Sequence, residues 1–181
     1  MVKRNPKRIA LSIALVGIMA ATLECAKLAL SALPNIEVVT LFIALFGYVF
    51  GPLGILASVV FVCIEPIIWG FGTWMISYFI YWPLVALIFA VFGRIKFKNR
   101  ILITLTAILL TVFFGVLTSF VDVGLFSGSF DNLFYRFSIY YARGISFYLA
   151  QIITNALVFP LLFPTLSKVM CRAACGMGIR M

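Results

Sequence analysis

Long stretches of the chain carry no charged residue, and the polar positions that interrupt them fall into short clusters. Apolar runs at about Ile9–Leu33, Trp74–Phe92, Ile101–Val121 and Ile145–Leu166 approach or exceed the roughly 20 residues that cross a hydrocarbon core about 30 Å thick. The runs are continuous and do not alternate with period two, so they predict helices and not barrel strands. Pro34-Asn35 ends the first. The region Val38–Trp69 is apolar throughout except for Glu65, and Gly47, Gly51, Pro52 and Gly54 cluster in its middle. Gly-Pro is a turn signal, which predicts two helices, Val38–Phe50 and Leu53–Trp69, about 20 and 25 Å long. The second needs local thinning of the bilayer or partial burial in the bundle. The expected fold is an all-α integral membrane bundle of six transmembrane helices, forming a single domain over residues 1–181. No linker, low-complexity tract or internal repeat divides it.

Charge decides between five spans and six. Eleven of the 14 Lys and Arg fall into three short clusters: Lys3, Arg4, Lys7 and Arg8; Arg94, Lys96, Lys98 and Arg100; Lys168, Arg172 and Arg180. Membrane-flanking segments rich in Lys and Arg stay in the cytoplasm. Two helices in Val38–Trp69 put all three clusters there, with both termini cytoplasmic; one helix would strand the Arg94–Arg100 loop outside. The same topology puts Glu24, Glu37, Glu65, Asp122 and Asp131, all the acids of the chain, on the outer side. The net charge of +9 therefore reads as a topology signal and not as a nucleic-acid footprint. Hydrophobic residues make up 65% of the chain and charged ones 10%, where a soluble domain would be about a quarter charged. The first apolar run extends too far for a cleaved signal and reads as a retained span.

The chemistry the chain carries is sparse. Histidine is absent, which removes Ser-His and Cys-His nucleophile pairs and His-containing zinc sites. No phosphate-binding glycine loop occurs. Neither an enzyme nor a cofactor is expected, and no metal site. Cys25 and Cys63 read as small apolar residues in helices; Cys171 and Cys175 share a helix face on the reducing side, where a disulfide is not expected.

Polar groups instead gather toward the outer half of the bundle. Glu24 and Lys27 have the i,i+3 spacing of a helix ion pair. Glu65 precedes Pro66, which frees the carbonyl of Val62; a carboxylate at that depth needs a cation or a wet cavity, and Lys27, Arg136 and Arg143 are the candidates. Trp69, Gly70, Phe71, Gly72, Thr73 and Trp74 form an outer turn of glycines and indoles. Trp74, Tyr78 and Tyr81 share a face of span four, with Trp82 beside it. Tyr148, Gln151 and Asn155 share a face of span six. An apolar hollow with a few fixed polar groups is the general form of a small-molecule pocket. The candidate substrate-binding set is Asn35, Glu37, Glu65, Trp69, Trp74, Tyr78, Arg143, Tyr148, Gln151 and Asn155. Between spans five and six, Asp122–Gly144 places Phe130, Phe134, Phe137 and Tyr141 at helical spacing, read either as an interfacial aromatic belt or as a short amphipathic helix lying over the bundle as a lid.

Near the N-terminus, Ala10-Leu11-Ser12-Ile13-Ala14 spells an AxxxA pattern, extended by Gly17 and Ala21. With six helices, both ends inside and this motif in the first helix, the chain resembles the substrate-binding S-component of energy-coupling factor transporters, the prokaryotic vitamin importers. The segments Leu33-Pro34-Asn35-Ile36-Glu37-Val38-Val39-Thr40 and Trp69–Trp74 also resemble members of that group. The resemblance implies a multi-pass protein of the prokaryotic cell membrane that captures a vitamin or precursor from outside. It implies partners as well: the lipid bilayer around the chain, a transmembrane coupling subunit met through Ala10 and Ala14, and two cytoplasmic ATPases. Pocket residues in that family vary with substrate, and riboflavin, cobalamin and nucleobase-like precursors stay open. The competing readings are a structural or assembly subunit without ligand, and a stand-alone secondary carrier.

Overall fold

A computed structural model describes residues 6–33, 36–126 and 132–178. It is all-helical: α1 Pro6–Ala29, α2 Val39–Phe50, α3 Pro52–Trp69, α4 Trp74–Arg94, α5 Arg100–Phe126 and α6 Leu133–Gly176. Five of these are long and apolar enough to cross a membrane, and α2 is shorter.

The break between α2 and α3 falls where Gly51-Pro52 predicts it. Gly51 has φ 55°, a left-handed conformation that suits a residue without Cβ, and its N–H closes α2 on the carbonyl of Gly47. Pro52 then opens α3, where its missing N–H costs nothing. Other ends are held by side chains. Glu37 accepts the backbone N–H of Thr40 at 2.9 Å and its hydroxyl at 2.5 Å, serving the open N–H groups at the start of α2. Asn99 accepts the N–H groups of Ile101 and Leu102 at the start of α5.

The short helix α2 is the centre of the bundle. It packs against α1, α3, α4 and α6 and is apolar all round, with nine of its 12 residues buried, the pattern of a helix that meets protein on every side. At about 18 Å it need not span hydrocarbon, because its ends are covered by neighbours. Close approach depends on three glycines: a Cβ at Gly47 would meet the backbone of Ala86 in α4, one at Gly54 the backbone of Phe46, and one at Gly93 the backbone of Tyr48. Ile43, Ala44, Leu45, Phe61, Val85, Phe89, Phe159 and Phe163 fill the core around it. Outward-facing Ile13, Ile67, Ile101, Leu109 and Leu161 form the lipid-facing surface.

Of the two readings of the α5–α6 connection, the lid is not the one seen. α5 continues to Phe126, and α6 begins at Leu133 as one helix of 44 residues, about 66 Å long. Its first turns run along α5 and do not fold across the bundle end: Phe120 lies 4.7 Å from Phe137, and Tyr141 bridges Phe137 to Tyr148 at 5.7 and 5.4 Å between ring centroids. Phe137 and Tyr141 thus belong to a single long helix, with Phe137 against α5, while Phe134 is exposed. Phe130 lies outside the described residues.

Backbone contact at the glycines gives a direct expectation. Gly47→Ala should lower the thermal midpoint of the detergent-solubilised protein, costing about 1–3 kcal/mol, because the added methyl meets backbone. Gly124→Ala in α5 has open space and should leave the midpoint unchanged or raise it. Equal midpoints in tryptophan-fluorescence melts would mean that α2 and α4 do not touch as described.

Candidate functional site

The end of the bundle that carries the carboxylates contains a cavity of about 280 Å³. Every helix contributes to its wall: Lys27 from α1, Thr40 from α2 with Glu37 just before it, Phe61 and Trp69 from α3, Tyr78, Tyr81 and Trp82 from α4, Thr111 and Phe114 from α5, and Gln151 from α6.

One ion pair organises this end. Lys27 Nζ binds Glu65 Oε2. Glu65 is fully buried while the lysine side chain keeps 27% of its surface exposed, so the cation faces the cavity and the carboxylate lies behind it. The ammonium sits 4.9 Å from the ring centre of Trp69 and 5.4 Å from that of Tyr78, with Trp74 at 6.0 Å, within the range of cation–π attraction. The expected Glu24–Lys27 pair is not the one formed. Lys27 turns from its own helix to α3, and Glu24, with Glu65 and Lys27 as charged neighbours, keeps two buried oxygens without a hydrogen-bond partner among the described residues.

A second polar group faces it. Glu37 leads into α2, and Oε1 also receives a long hydrogen bond of 3.4 Å from Asn155 Nδ2. Asn155 donates more closely, at 3.0 Å, to Thr111 Oγ1, and the Tyr81 hydroxyl sits between Thr40 and Thr111. Helices α2, α4, α5 and α6 are therefore stitched together beneath the cavity by hydrogen bonds that lipid cannot replace. Aromatic rings complete the wall: Tyr78 and Tyr81 lie edge-on to Trp82 at 5.5 and 4.7 Å, and Trp82 stacks on Phe114 at 6.2 Å.

Not every sequence candidate reaches this wall. Glu37, Trp69, Tyr78 and Gln151 line it. Glu65 and Asn155 stand one layer behind, acting through Lys27 and through Glu37 and Thr111. Trp74 packs on Tyr78 at 5.0 Å and supports the wall. Tyr148 is placed elsewhere: its ring rests against Gly115 and Gly144, and its hydroxyl meets Thr118 and Ser119 at 3.2 and 3.3 Å, fastening α6 to α5. Arg143 is exposed on α6, away from the cavity lining, and Asn35 lies outside the described residues. Residues that the sequence did not nominate include Thr40, Thr111, Phe61 and Phe114; nothing in their local pattern separates them from ordinary helix packing. Lys27 was among the three cations the sequence offered to Glu65, and it is the one that pairs with it.

Several buried polar atoms at this end have no hydrogen-bond partner among the described residues: Trp82 Nε1, Ser77 Oγ, Glu65 Oε1 and Asn155 Oδ1. Native interiors keep few such atoms. Of these residues Trp82 lines the cavity, while Glu65 and Asn155 lie behind its wall. The described residues hold no group of three or more His, Cys, Asp or Glu suited to a metal ion.

The small residues of α1 face away from the bundle. Ala10, Ala14, Gly17 and Ala21 are all exposed, while Leu15, Val16, Met19, Ala20, Leu23 and Glu24 face inward. A Cβ added at Gly17 would meet nothing within 4 Å.

No family model, no curated protein and no solved structure matches the chain.

The Lys27–Glu65 pair predicts non-additive stability. Lys27→Met leaves a buried carboxylate uncompensated and should cost about 3 kcal/mol. The double variant Lys27→Met/Glu65→Leu should recover most of that loss. A thermal-melt cycle in detergent reads the coupling, and a double variant as unstable as the sum of the two singles would show that the pair is not formed.

Proposed function

We propose that this chain is a membrane-embedded substrate-binding subunit that captures a vitamin or related micronutrient for ATP-driven import, an S-component of the energy-coupling factor type. The observation that carries the reading is the cavity at the carboxylate-bearing end, lined from all six helices with aromatic walls and a few polar groups. An apolar cavity of about 150 Å³ holds one benzene ring, so 280 Å³ suits a ligand of one or two rings and is far too small for a corrinoid. Glu37 and Gln151 on the wall favour a ring with N–H or amino donors at its edge, stacked among Trp69, Tyr78, Trp82 and Phe114. The charges of Glu37 and Glu65 exceed the single charge of Lys27, which favours a neutral or cationic ligand over an anion.

In this reading both termini are cytoplasmic, the cavity opens outward, and the protein sits as a multi-pass subunit in a prokaryotic cell membrane. The open small-residue face of α1 meets a transmembrane coupling subunit, since small side chains let a second helix approach closely. That subunit links the bundle to two cytoplasmic ATPases, which supply the energy this chain has no motif to supply itself. A purely structural subunit would be expected to satisfy its buried polar groups internally and to enclose no such hollow.

Native mass spectrometry of the purified chain tests the proposal. A co-purified ring compound is expected, or failing that a thermal shift with a planar vitamin or precursor; the absence of both returns the chain to a ligand-free structural role. Gln151→Leu should weaken ligand binding about tenfold with the ligand-free melt unchanged. Ala10→Leu/Ala14→Leu should abolish uptake in cells while leaving ligand affinity of the isolated subunit intact. Loss of affinity in that variant would place the small-residue face at the ligand and not at a partner.

A further inference from the structure

The opposite end of the bundle holds a second and larger cavity, of about 1070 Å³, at the top of the range for small-molecule pockets, about 300–1,000 Å³. Its rim carries Arg94, Lys96, Lys98, Arg100, Lys168 and Arg172 and no acidic residue. None of these cations has an ion pair among the described residues; the pair that is present, Lys27–Glu65, is at the other end. Glu24, Glu37 and Glu65 cluster at that other end as well, and Asp122 is held there by Thr73 at 2.6 Å. Six positive charges thus converge with no counter-ion among the described residues.

Below the rim the wall turns apolar. Phe159 and Phe163 of α6, Val49 and Tyr48 of α2, and Leu87 and Val91 of the α4 span line it. Phe159 and Arg172 both line the cavity and are separated by 13 residues of one helix, about 20 Å. The wall therefore runs from headgroup level well into the depth of hydrocarbon. Its shape is set by the fold: Tyr48 donates to the carbonyl of Phe97 at 2.9 Å, pinning the α4–α5 turn over the end of α2, and Lys96 in that turn takes φ 54°.

A free phosphate or nucleotide would use the rim and leave the apolar wall idle. An acyl chain alone would leave the cations unpaired. An amphiphile with an anionic head satisfies both, and basic pockets between transmembrane helices on the cytoplasmic side take such heads. We infer that this cavity is a binding site for an anionic phospholipid of the adjacent leaflet, its phosphate among the Arg94–Arg100 loop and Lys168/Arg172 and its acyl chains against α4 and α6. The inference is independent of what the other cavity binds.

The test uses the full chain solubilised from phosphatidylcholine vesicles with and without phosphatidylglycerol, read by native mass spectrometry. Phosphatidylglycerol should be retained over phosphatidylcholine, and removing charges in Lys98→Gln and Arg100→Gln should lower its retention about fivefold each. These residues are exposed, so the melts of the lipid-free variants should not change. Arg8→Gln, which removes an equal charge from α1 outside the cavity, should have no effect. Val91→Trp, which fills the apolar wall and leaves every cation in place, should also reduce retention, and inorganic phosphate should not displace the lipid. Equal retention of the two lipids, or an effect of Arg8→Gln equal to that of the loop variants, would overturn the site. Displacement by inorganic phosphate, or full retention in Val91→Trp, would reduce it to a headgroup-only anion site and overturn the lipid assignment.

Discussion

A carboxylate surrounded by hydrocarbon must have a cation beside it or water in front of it, and Glu65 imposes that demand on the carboxylate-bearing end of this bundle. Its partner Lys27 comes from α1, so the pair fixes the end of α1 against α3. Holding Lys27 there also draws Trp69 and Tyr78 around the ammonium, and those rings are the cavity wall. Well-packed apolar residues would commonly be as stable as a buried ion pair, or more so. The pair therefore does something that apolar packing does not: it keeps a charged, partly exposed group at the surface of a hollow within a membrane helix bundle.

The second constraint is the shortness of α2. A helix of 12 residues, about 18 Å, sits inside a core layer about 30 Å thick. Something must occupy the remaining depth at its two ends. The long outer helices continue past it, and both cavities are found there: Glu37, Val39 and Thr40 at its start line one, and Tyr48, Val49 and Phe50 at its end line the other. A full-length span in this position would fill both. Glycine contacts with α4 and α3 make the short helix tolerable by packing backbone on backbone, which offsets the small apolar area that 12 residues provide.

What the sequence made legible follows from the same physics. Apolar runs and the Gly51-Pro52 break are properties of local chain, and each helix appears around its run, with α6 extending beyond it at both ends. Depth along a helix was legible too, since Glu37, Trp69, Tyr78 and Gln151 share one end and do line one cavity. Azimuth across helices was not. Tyr148 has the right depth and polarity but points to α5, because Gly115 and Gly144 leave room for its ring there. Lys27 was one of three cations the sequence offered to Glu65, and spacing alone could not choose between that acid, 38 residues away, and Glu24 one turn off. The outer reach of α6 was obscured because residues 133–144 mix Arg, Ser and Tyr with phenylalanines; hydropathy falls there although helical spacing persists.

The two cavities also bear on how a bound molecule would cross. Between them lies packed protein: Ile43, Ala44, Leu45, Val85 and Phe89 are all fully buried, and Phe89, Phe159 and Phe163 contact one another at 5.7 to 5.9 Å between ring centroids. A carrier working alone by opening this layer would have to separate α2 from α4 at Gly47 and Gly93, where backbone meets backbone and no side chain can swing aside. That is an expensive place for a hinge. A capture subunit moved as a body by partners would leave the layer intact and alter only its lipid-facing and partner-facing surfaces, and the unburied small-residue stripe of α1 is the kind of surface on which such a partner could act. The rigidity of the central layer is thus an argument for the proposed division of labour, with binding in this chain and motion driven from outside it.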